Sequence, residues 1–315
     1  MLRRFLIKFG QGLLTVFLAS IVVFLAIRAL PGDPAETMAG EDQNPAVIAA
    51  IRARLGLDKP MPEQYLLYMW HALHGDFGTS ISSRVPVSTL LGQTLPVTLQ
   101  LTVLTMVCGG IVGMLMGSVG AYWRGQWPEW LSSVLSLVGL SVPHFWLAML
   151  AIIYVGTTMR LFPVSGYTPL HESLGGNIGH LIVPALILGS ALAAVLMRQT
   201  RANMLDAFGA EYILAVRAKG ASESRVVIGH ALRNSLVVAV TILGLELGGL
   251  LSGAAVIEQI FGLPGIGRLA INAVFSRDYP VVQGVVLVVA VSYVAISLLL
   301  DVLYTVLDPR IRVGG

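Results

Sequence analysis

The chain alternates long apolar runs with short polar stretches. Five runs lack Asp, Glu, Lys and Arg, and each is long enough to cross a bilayer, which takes about 20 helical residues. They cover residues 9–27, 85–123, 130–159, 173–197 and 279–300. A sixth run, residues 234–257, is interrupted only by Glu246. This pattern predicts an all-α, polytopic membrane protein with six transmembrane helices.

Composition narrows the functional class. Hydrophobic residues make up 56% of the 315 positions and charged residues only 12%, against about 25% charged residues in soluble proteins. The composition excludes an ordinary soluble enzyme, and a net charge of +3 leaves no basic surface for nucleic acid. Cys108 is the single cysteine, so neither an intrachain disulfide nor a cysteine metal site can form.

The distribution of positive charge predicts the orientation. Arginine and lysine are enriched on the cytoplasmic side of membrane proteins. With the N-terminus inside, twelve of the 20 lysines and arginines fall in inner segments, among them Arg3, Arg124, Arg198 and Arg310. We therefore expect both termini and residues 198–234 in the cytoplasm, and residues 31–95 outside.

These features divide the chain into four expected parts. Residues 1–30 form the first transmembrane helix, 31–95 an external helical cap, 96–308 a core domain with five transmembrane helices, and 309–315 a cytoplasmic tail. Within the cap, helices are expected at 46–55, closed by Gly56, and at 63–73, closed by Gly75. Residues 87–95, between Pro86 and Pro96, are either an interfacial elbow or the first turns of the second span.

The inner stretch, residues 198–234, is predicted to form two helices joined by a glycine. Residues 210–219 have helical character, Gly220 suits a left-handed C-cap, and Ser222 with Glu223 can begin a second helix. A solvated, positively charged loop is the simpler interpretation of this stretch. The alternative is a docking element for a cytosolic partner.

The residues of this stretch resemble a known motif. EYILAVRAKG at residues 211–220 and HALRN at 230–234 are similar to the EAA coupling motif of binding-protein-dependent ABC importer permeases, in the form typical of the dipeptide/oligopeptide/nickel subfamily. Ala215, Gly220 and Leu232 match the general motif, whereas Leu214 and Val216 depart from it. Other segments resemble the first permease subunit of that subfamily: LPGDPA (30–35), GDFGTS (75–80), FGLPGIG (261–267), RDYP (277–280) and LDPRIR (307–312).

The resemblance implies a type I ABC importer permease fold in the bacterial cytoplasmic (inner) membrane. Its expected partners are a second homologous permease, two cytosolic ATPases that bind ATP and Mg, and an external substrate-binding protein. The residues implied in ATPase coupling are Glu211, Tyr212, Ala215, Ala218, Lys219, Gly220, Ala221 and Arg225. Gly220 would let two helix ends meet without an obstructing side chain.

The sequence contains no recognisable constellation of catalytic residues. Lys8, Lys59 and Lys219 follow Ile, Asp and Ala, so no Gly-Lys-Ser/Thr phosphate loop exists. We expect no enzyme activity and no cofactor in this chain. His71 and His74, near Asp76, have a spacing that could hold a metal, but the polar face of a surface helix is the simpler interpretation, and no metal site is predicted.

Ionisable residues in or near the spans are costly unless they face a cavity or a partner, about 2.5 to 3.5 kcal/mol each at a helix centre. This cost makes Glu246, Glu258 and His144 candidates for the translocation path. The glycine-rich turn after the fifth span is expected outside, where it either faces the binding protein or forms a tight re-entrant turn without ligand contact. Its residues are Phe261, Gly262, Leu263, Pro264 and Gly265.

The expected function is a permease subunit of an ATP-driven importer of di- or oligopeptides. Few fixed charges lie in the spans, which suits a zwitterionic peptide better than a bare divalent ion needing convergent ligands. Nickel, glutathione and haem remain alternative substrates. A proton-coupled secondary transporter using His144 and Glu246 is the rival class, although the two halves show no internal repeat of the kind such folds contain.

Overall fold

The computed structural model describes residues 2–29, 35, 44–54 and 56–307. Its helices are α1 (Leu2–Ala29), α2 (Pro45–Arg54), α3 (Met61–Leu73), α4 (Val87–Tyr122), α5 (Trp127–Ser141), α6 (His144–Leu150), α7 (Leu174–Phe208), α8 (Glu211–Ala218), α9 (Arg233–Phe261), α10 (Ile266–Phe275) and α11 (Tyr279–Leu307). Three predicted features lie wholly or partly outside the described residues. They are the LPGDPA segment (residues 30–34), the LDPRIR segment (residues 308–312) and the cytoplasmic tail (309–315).

Among the residues that the structure describes, five helical segments are long and apolar enough to cross a membrane. They are Leu6–Ala29, Val87–Tyr122, Leu174–Phe208, Arg225–Leu251 and Tyr279–Leu300. Two further pairs of helices are each bent at a short break, α5 with the helical stretch His144–Thr158, and Ala254–Phe261 with α10. If the first bent pair is counted as one span, the structure has six spans, the number that the sequence predicts. The predicted all-α membrane fold is confirmed.

The third predicted span, residues 130–159, is not one straight helix. It turns by 103° between Ser141 and His144. Proline disfavours helical backbone in the residue before it, and Val142, which precedes Pro143, is extended with φ −90° and ψ 124°. Beyond the bend, α6 continues as the π-helical segment Ala151–Thr158. Pro143 therefore explains a break that the absence of charge alone did not predict.

The ends of the predicted elements agree closely with the structure elsewhere. Gly56 and Gly75, expected to close the two cap helices, have φ +65° and +75°, values that favour glycine. Residues 87–95 belong to the same helix as the second span, because α4 runs from Val87 through Pro96 to Tyr122. Of the two alternatives for residues 87–95, the structure therefore has the first turns of the second span, not a separate interfacial elbow.

The chain divides into two compact units. One contains Met1–Val97 and Pro264–Leu298, and the other Thr98–Leu263 and Leu299–Gly315. In the first unit, Val87 and Leu91 of α4 pack against Ile266 of α10 and Val285 of α11. Gly284 allows this approach, since a Cβ there would lie 2.8 Å from Val87 Cγ1.

A buried aspartate ties the start of α11 to the turn before α4. Asp278 Oδ2 accepts hydrogen bonds from Ser80 Oγ (2.6 Å), Ser82 Oγ (2.9 Å) and Ser82 N (3.1 Å). Burial alone would raise the pKa of Asp278, but these hydrogen bonds outweigh it and keep the pKa below its ordinary value. The carboxylate is therefore ionised at neutral pH, and its contribution to stability is lost only as the pH falls through that lowered pKa.

In the second unit, α4 and α7 touch backbone to backbone. A Cβ at Gly109, Gly113 or Gly117 would lie 3.0, 2.8 or 2.6 Å from the carbonyl oxygens of Gly189, Ala193 and Met197, respectively. The three glycines are spaced four residues apart, so they form one face of the helix. Glycine here removes the side chains that would keep two membrane helices apart.

Helix α7 is the centre of this unit because α5 approaches it from another side. Gly139 of α5 lies where a Cβ would be 2.9 Å from Ser190 O and 3.0 Å from Ala194 Cβ. Leu181, Leu188, Leu192 and Leu196 of α7 are almost fully buried. Helix α7 can occupy this central position because glycines on α4 and α5 let both helices approach it closely.

Gly113→Ala should destabilise the protein, whereas Gly110→Ala, three residues earlier on the same helix, should not. A Cβ at Gly113 would meet Leu196 Cβ at 2.6 Å, whereas nothing lies within 4 Å of one at Gly110. Overpacking of this kind costs about 1–3 kcal/mol. Thermal unfolding of the purified chain in detergent should show a lower melting temperature for Gly113→Ala only. Equal melting temperatures for the two variants would contradict the close crossing of α4 and α7.

Candidate functional site

The predicted coupling segment is a short helix held to the rest of its unit by one face. Helix α8 begins at Glu211, and the Ile213 amide donates to Ala210 O (3.0 Å) in its first turn. Ile213 is fully buried, while Glu211, Tyr212, Leu214 and Ala215 are exposed. The buried isoleucine fixes α8 and leaves the other faces open.

The turn after α8 is a Schellman motif. The Gly220 amide donates to Arg217 O (2.9 Å) and the Ala221 amide donates to Val216 O (3.3 Å). Gly220 has φ +80°, a conformation that side chains disfavour. Nothing within this chain lies within 4 Å of a Cβ built at Gly220. Contacts within this chain would leave room for a side chain at position 220, so the left-handed backbone is the reason for glycine there.

An ion pair spans this turn. Arg217 donates from Nε to Glu223 Oε1 (3.0 Å) and from Nη2 to Glu223 Oε2 (3.1 Å). The guanidinium carbon of Arg217 also lies 5.9 Å from the centre of the Phe208 ring. Both charged side chains are partly exposed, so the pair contributes at most about 1 kcal/mol. The bidentate pair links the end of α8 to the start of the helix that follows.

The second helix begins at Glu223, as the sequence predicted. It passes through the π-helical segment Arg225–Leu232 directly into α9. Ala231 packs in a buried cluster with Ala121 of α4 and with Met204 and Ala207 of α7. The coupling segment is therefore attached to the ends of the two helices that form the glycine crossing.

The predicted coupling residues lie mainly on the exposed side. Tyr212 and Leu214 are 46% and 57% exposed, and Ile228, on the second helix, is 65% exposed. The exposed members of the predicted set are Glu211, Tyr212, Ala215, Ala218, Lys219, Gly220 and Arg225, and Ala221 is half-buried. Apolar side chains exposed in this way beside exposed charges are typical of a protein-binding surface.

Sequence reasoning missed a second contact near this segment. Arg201 of α7 donates to Glu129 of α5, whose other carboxylate oxygen accepts from the Gly125 amide. This ion pair connects the loop between α4 and α5 to α7. The sequence offered one signal for this contact: Glu129 is an acidic residue close to Arg124, in a loop predicted to be cytoplasmic.

The three residues predicted to line the translocation path have different surroundings. Glu258 is fully buried and accepts a hydrogen bond from Thr98 Oγ1 (2.5 Å). Glu246 and His144 are half-buried. Among the residues that the structure describes, no three His, Cys, Asp or Glu side chains are close enough to hold a metal ion. Glu258 therefore bonds within the protein, and Glu246 and His144 are the two that keep access to the surface of the chain.

The glycine-rich turn is largely buried. Phe261, Leu263 and Gly265 are buried, Gly262 is half-buried and Pro264 is exposed. Gly262 has φ +65° and ends α9, with Leu263 N donating to Glu258 O (2.9 Å). This geometry favours the tight re-entrant turn over an exposed contact loop.

A polar network at the start of α7 also went unpredicted. Gln100 Oε1 of α4 accepts from Tyr167 OH (3.1 Å) and from Asn177 Nδ2 (3.0 Å). Asn177 Nδ2 donates in addition to Thr168 O (2.8 Å). The network fixes the loop before α7 on two helices. Its members are uncharged and distant in sequence, so no local pattern indicates it.

Comparison with known proteins identifies the family. A family model described as "Binding-protein-dependent transport system inner membrane component" matches residues 109–313. A second model, for the N-terminal part of such membrane components, matches residues 1–102. Together the two models match nearly the whole chain.

Two relatives of known name agree with this assignment. The chain is 42% identical over 305 residues to a Brucella abortus (strain 2308) protein named as a peptide transport system permease, with 97% of both chains covered. It is 41% identical over 310 residues to the glutathione transport system permease protein GsiC of Escherichia coli (strain K12), covering 98% of this chain and 99% of GsiC. A crystal structure of an amino acid ABC transporter aligns with 71% of this chain and 94% of its own, at 19% identity and a TM-score of 0.47.

The family settles the class of protein and the place of ATP hydrolysis. A permease of this family is not an enzyme, and ATP is hydrolysed by its partner subunits. Binding-protein-dependent import also requires a substrate-binding protein. The chain therefore belongs to the inner membrane components of binding-protein-dependent transport systems, as a multi-pass type I ABC importer permease of the peptide/nickel family.

Proposed function

We propose that this permease passes di- or oligopeptides from an external binding protein into the cytoplasm, and that α8, Gly220 and the helix after it transmit ATP-driven motion to the spans. The observation that supports coupling is the attachment of this segment. Its buried residues, Ile213 and Ala231, pack within the second unit, while its opposite side exposes Tyr212, Leu214 and Ile228. An ATPase bound there would move the ends of α4 and α7 directly.

The proposed orientation has both termini and residues 198–234 in the cytoplasm. The exposed cations of the coupling segment, Arg217, Lys219 and Arg225, support this orientation because positive charge is retained on the inner side. A second homologous permease would complete the pathway. On α9, Gly244 and Gly249 have room for a Cβ within this chain, which suits close packing against another subunit.

The substrate proposal depends on the small number of fixed charges in the spans. Glu258 already bonds to Thr98, so Glu246 and His144 are the ionisable groups of the spans proposed to face the pathway. Two such groups do not make the site of several convergent ligands that a bare divalent ion requires. A peptide needs only scattered hydrogen-bonding groups. The relatives named for peptide and glutathione transport also support a peptide-like substrate.

Gly220→Gln should abolish transport while leaving the protein in the membrane. The introduced glutamine side chain would protrude from the proposed docking surface, and the left-handed backbone would cost only about 1–2 kcal/mol. Uptake in cells and co-purification of the ATPase with the permease should both be lost.

Gly125→Gln is the matched control for this substitution. Gly125 has the same φ of +80° and, like Gly220, nothing within 4 Å of a Cβ, but it lies in the loop between α4 and α5. The Gly125→Gln variant should therefore retain substrate uptake. Normal uptake by Gly220→Gln would show that the segment is an ordinary solvated loop, and loss in both variants would point to backbone strain instead of docking.

Deletion of this subunit should abolish uptake of labelled dipeptides and tetrapeptides, because they have no other path through this importer. Reintroducing the chain should restore uptake, and reintroducing Gly220→Gln should not. Parallel measurements with glutathione, nickel and haem assign the substrate. If peptides enter normally while only one of these three fails to accumulate, the peptide proposal is wrong although the importer assignment stands.

A further inference from the structure

Helix α3, in the segment predicted to be an external cap, packs along a transmembrane helix. The hydroxyls of Tyr65 and of Ser20 in α1 lie 2.8 Å apart. The Tyr65 ring meets the rings of Phe17 and Phe24 edge-on, at 6.4 and 5.2 Å between centroids. Ser20 and Phe24 are buried by this packing. Contact with α1 thus extends well into the membrane-spanning part of that helix.

The position along α1 gives the depth of the contact. Helix α1 ends at Ala29, and at 1.5 Å per residue Ser20 lies about 14 Å and Phe24 about 8 Å from that end. An interfacial helix is buried by about 5–10 Å. Tyr68 also contacts Phe24, which places α3 at the level of Phe24 with the Tyr65 side chain reaching deeper. If the hydrocarbon boundary lies near the end of α1, helix α3 is at the depth of the membrane interface.

The side chains of α3 fall into three sectors around its axis. Gln64, Tyr65 and Tyr68 contact α1, and both Arg28 Nη2 and Nε donate to Gln64 Oε1 (2.7 and 3.0 Å). A second sector, centred about 160° round the helix axis from the middle of the first, is apolar and exposed. It contains Leu66, Trp70 and Leu73, which are 67%, 62% and 77% exposed.

The exposed side chains of the third sector are polar. Glu63, His71 and His74 are exposed on this side, and Glu63 pairs with Lys59 across 2.7 Å. The Trp70 ring lies 4.5 Å from the His74 ring, so the indole sits at the border between the apolar and polar sectors. A helix with one side on protein, one apolar and one polar is suited to the boundary between bilayer and water.

We propose that the apolar sector of α3, formed by Leu66, Trp70 and Leu73, is embedded in the acyl chains of the leaflet at the Ala29 end of α1. Lipid is the occupant that the surroundings favour, because α3 packs on a transmembrane helix that itself exposes apolar side chains. Phe17 and Leu25 of α1 are about half exposed, like Val22 between them. Tryptophan at the border of the sector matches its preference for the membrane interface.

Spin labelling tests this proposal on the full chain. Single cysteines replace Leu66 and Leu73 on the apolar sector, and Glu63 and His71 on the polar sector as matched controls, all in a Cys108→Ala background. Each is labelled with a nitroxide, and the chain is reconstituted in vesicles of phosphatidylethanolamine and phosphatidylglycerol. Collisions with oxygen, which concentrates in hydrocarbon, are compared with collisions with a water-soluble nickel chelate.

The proposal predicts that oxygen collisions exceed nickel collisions at positions 66 and 73, and that the reverse holds at 63 and 71. Excess nickel collisions at all four positions would place α3 in water and overturn the proposal. Low collision rates with both reagents at 66 and 73 would also overturn it, because they would show a protein covering the sector. In intact cells, an impermeant maleimide should label the Glu63→Cys and His71→Cys variants faster than the other two.

Discussion

The close crossing of α4 and α7 is the contact on which the arrangement of the second unit depends. Gly109, Gly113 and Gly117 bring the two backbones together, and α7 then continues to Phe208. At that end, Met204 and Ala207 meet Ala231, just before α9 begins. Under the proposed function, a shift of the coupling segment would displace helices that are already in backbone contact, with little room for side chains to absorb the motion.

Local features of the sequence predicted much of this fold. Runs without charge indicated the spans because a charged group within the bilayer has no solvent to stabilise it. Gly56, Gly75 and Gly220 marked helix ends because each needs a left-handed backbone. The helix–glycine–helix element of the coupling segment was predictable for the same reason: its turn is closed by hydrogen bonds between residues at most five apart.

Contacts between distant residues could not be predicted in this way. Glu258 bonds to Thr98, 160 positions away, so its burial did not follow from its place near the end of a span. The 103° bend at Pro143 lies in a run whose apolar character continues on both sides. The cap helix α3 was expected outside, but its contacts with Phe17 and Ser20 depend on how α1 is packed. Both α4 and α9 contain several glycines, so the sequence does not distinguish the two helices. Only the structure shows that the glycines of α4 already pack against another helix of this chain.

Site-specific photo-crosslinking tests the proposed coupling most directly. A photoreactive residue in place of Leu214, which is exposed on α8, is compared with one in place of Leu170, which is 50% exposed in the loop before α7. Irradiation of membranes containing the intact importer should give an adduct of permease and ATPase from position 214 and none from position 170. An intact complex with no ATPase adduct from position 214 would contradict the account.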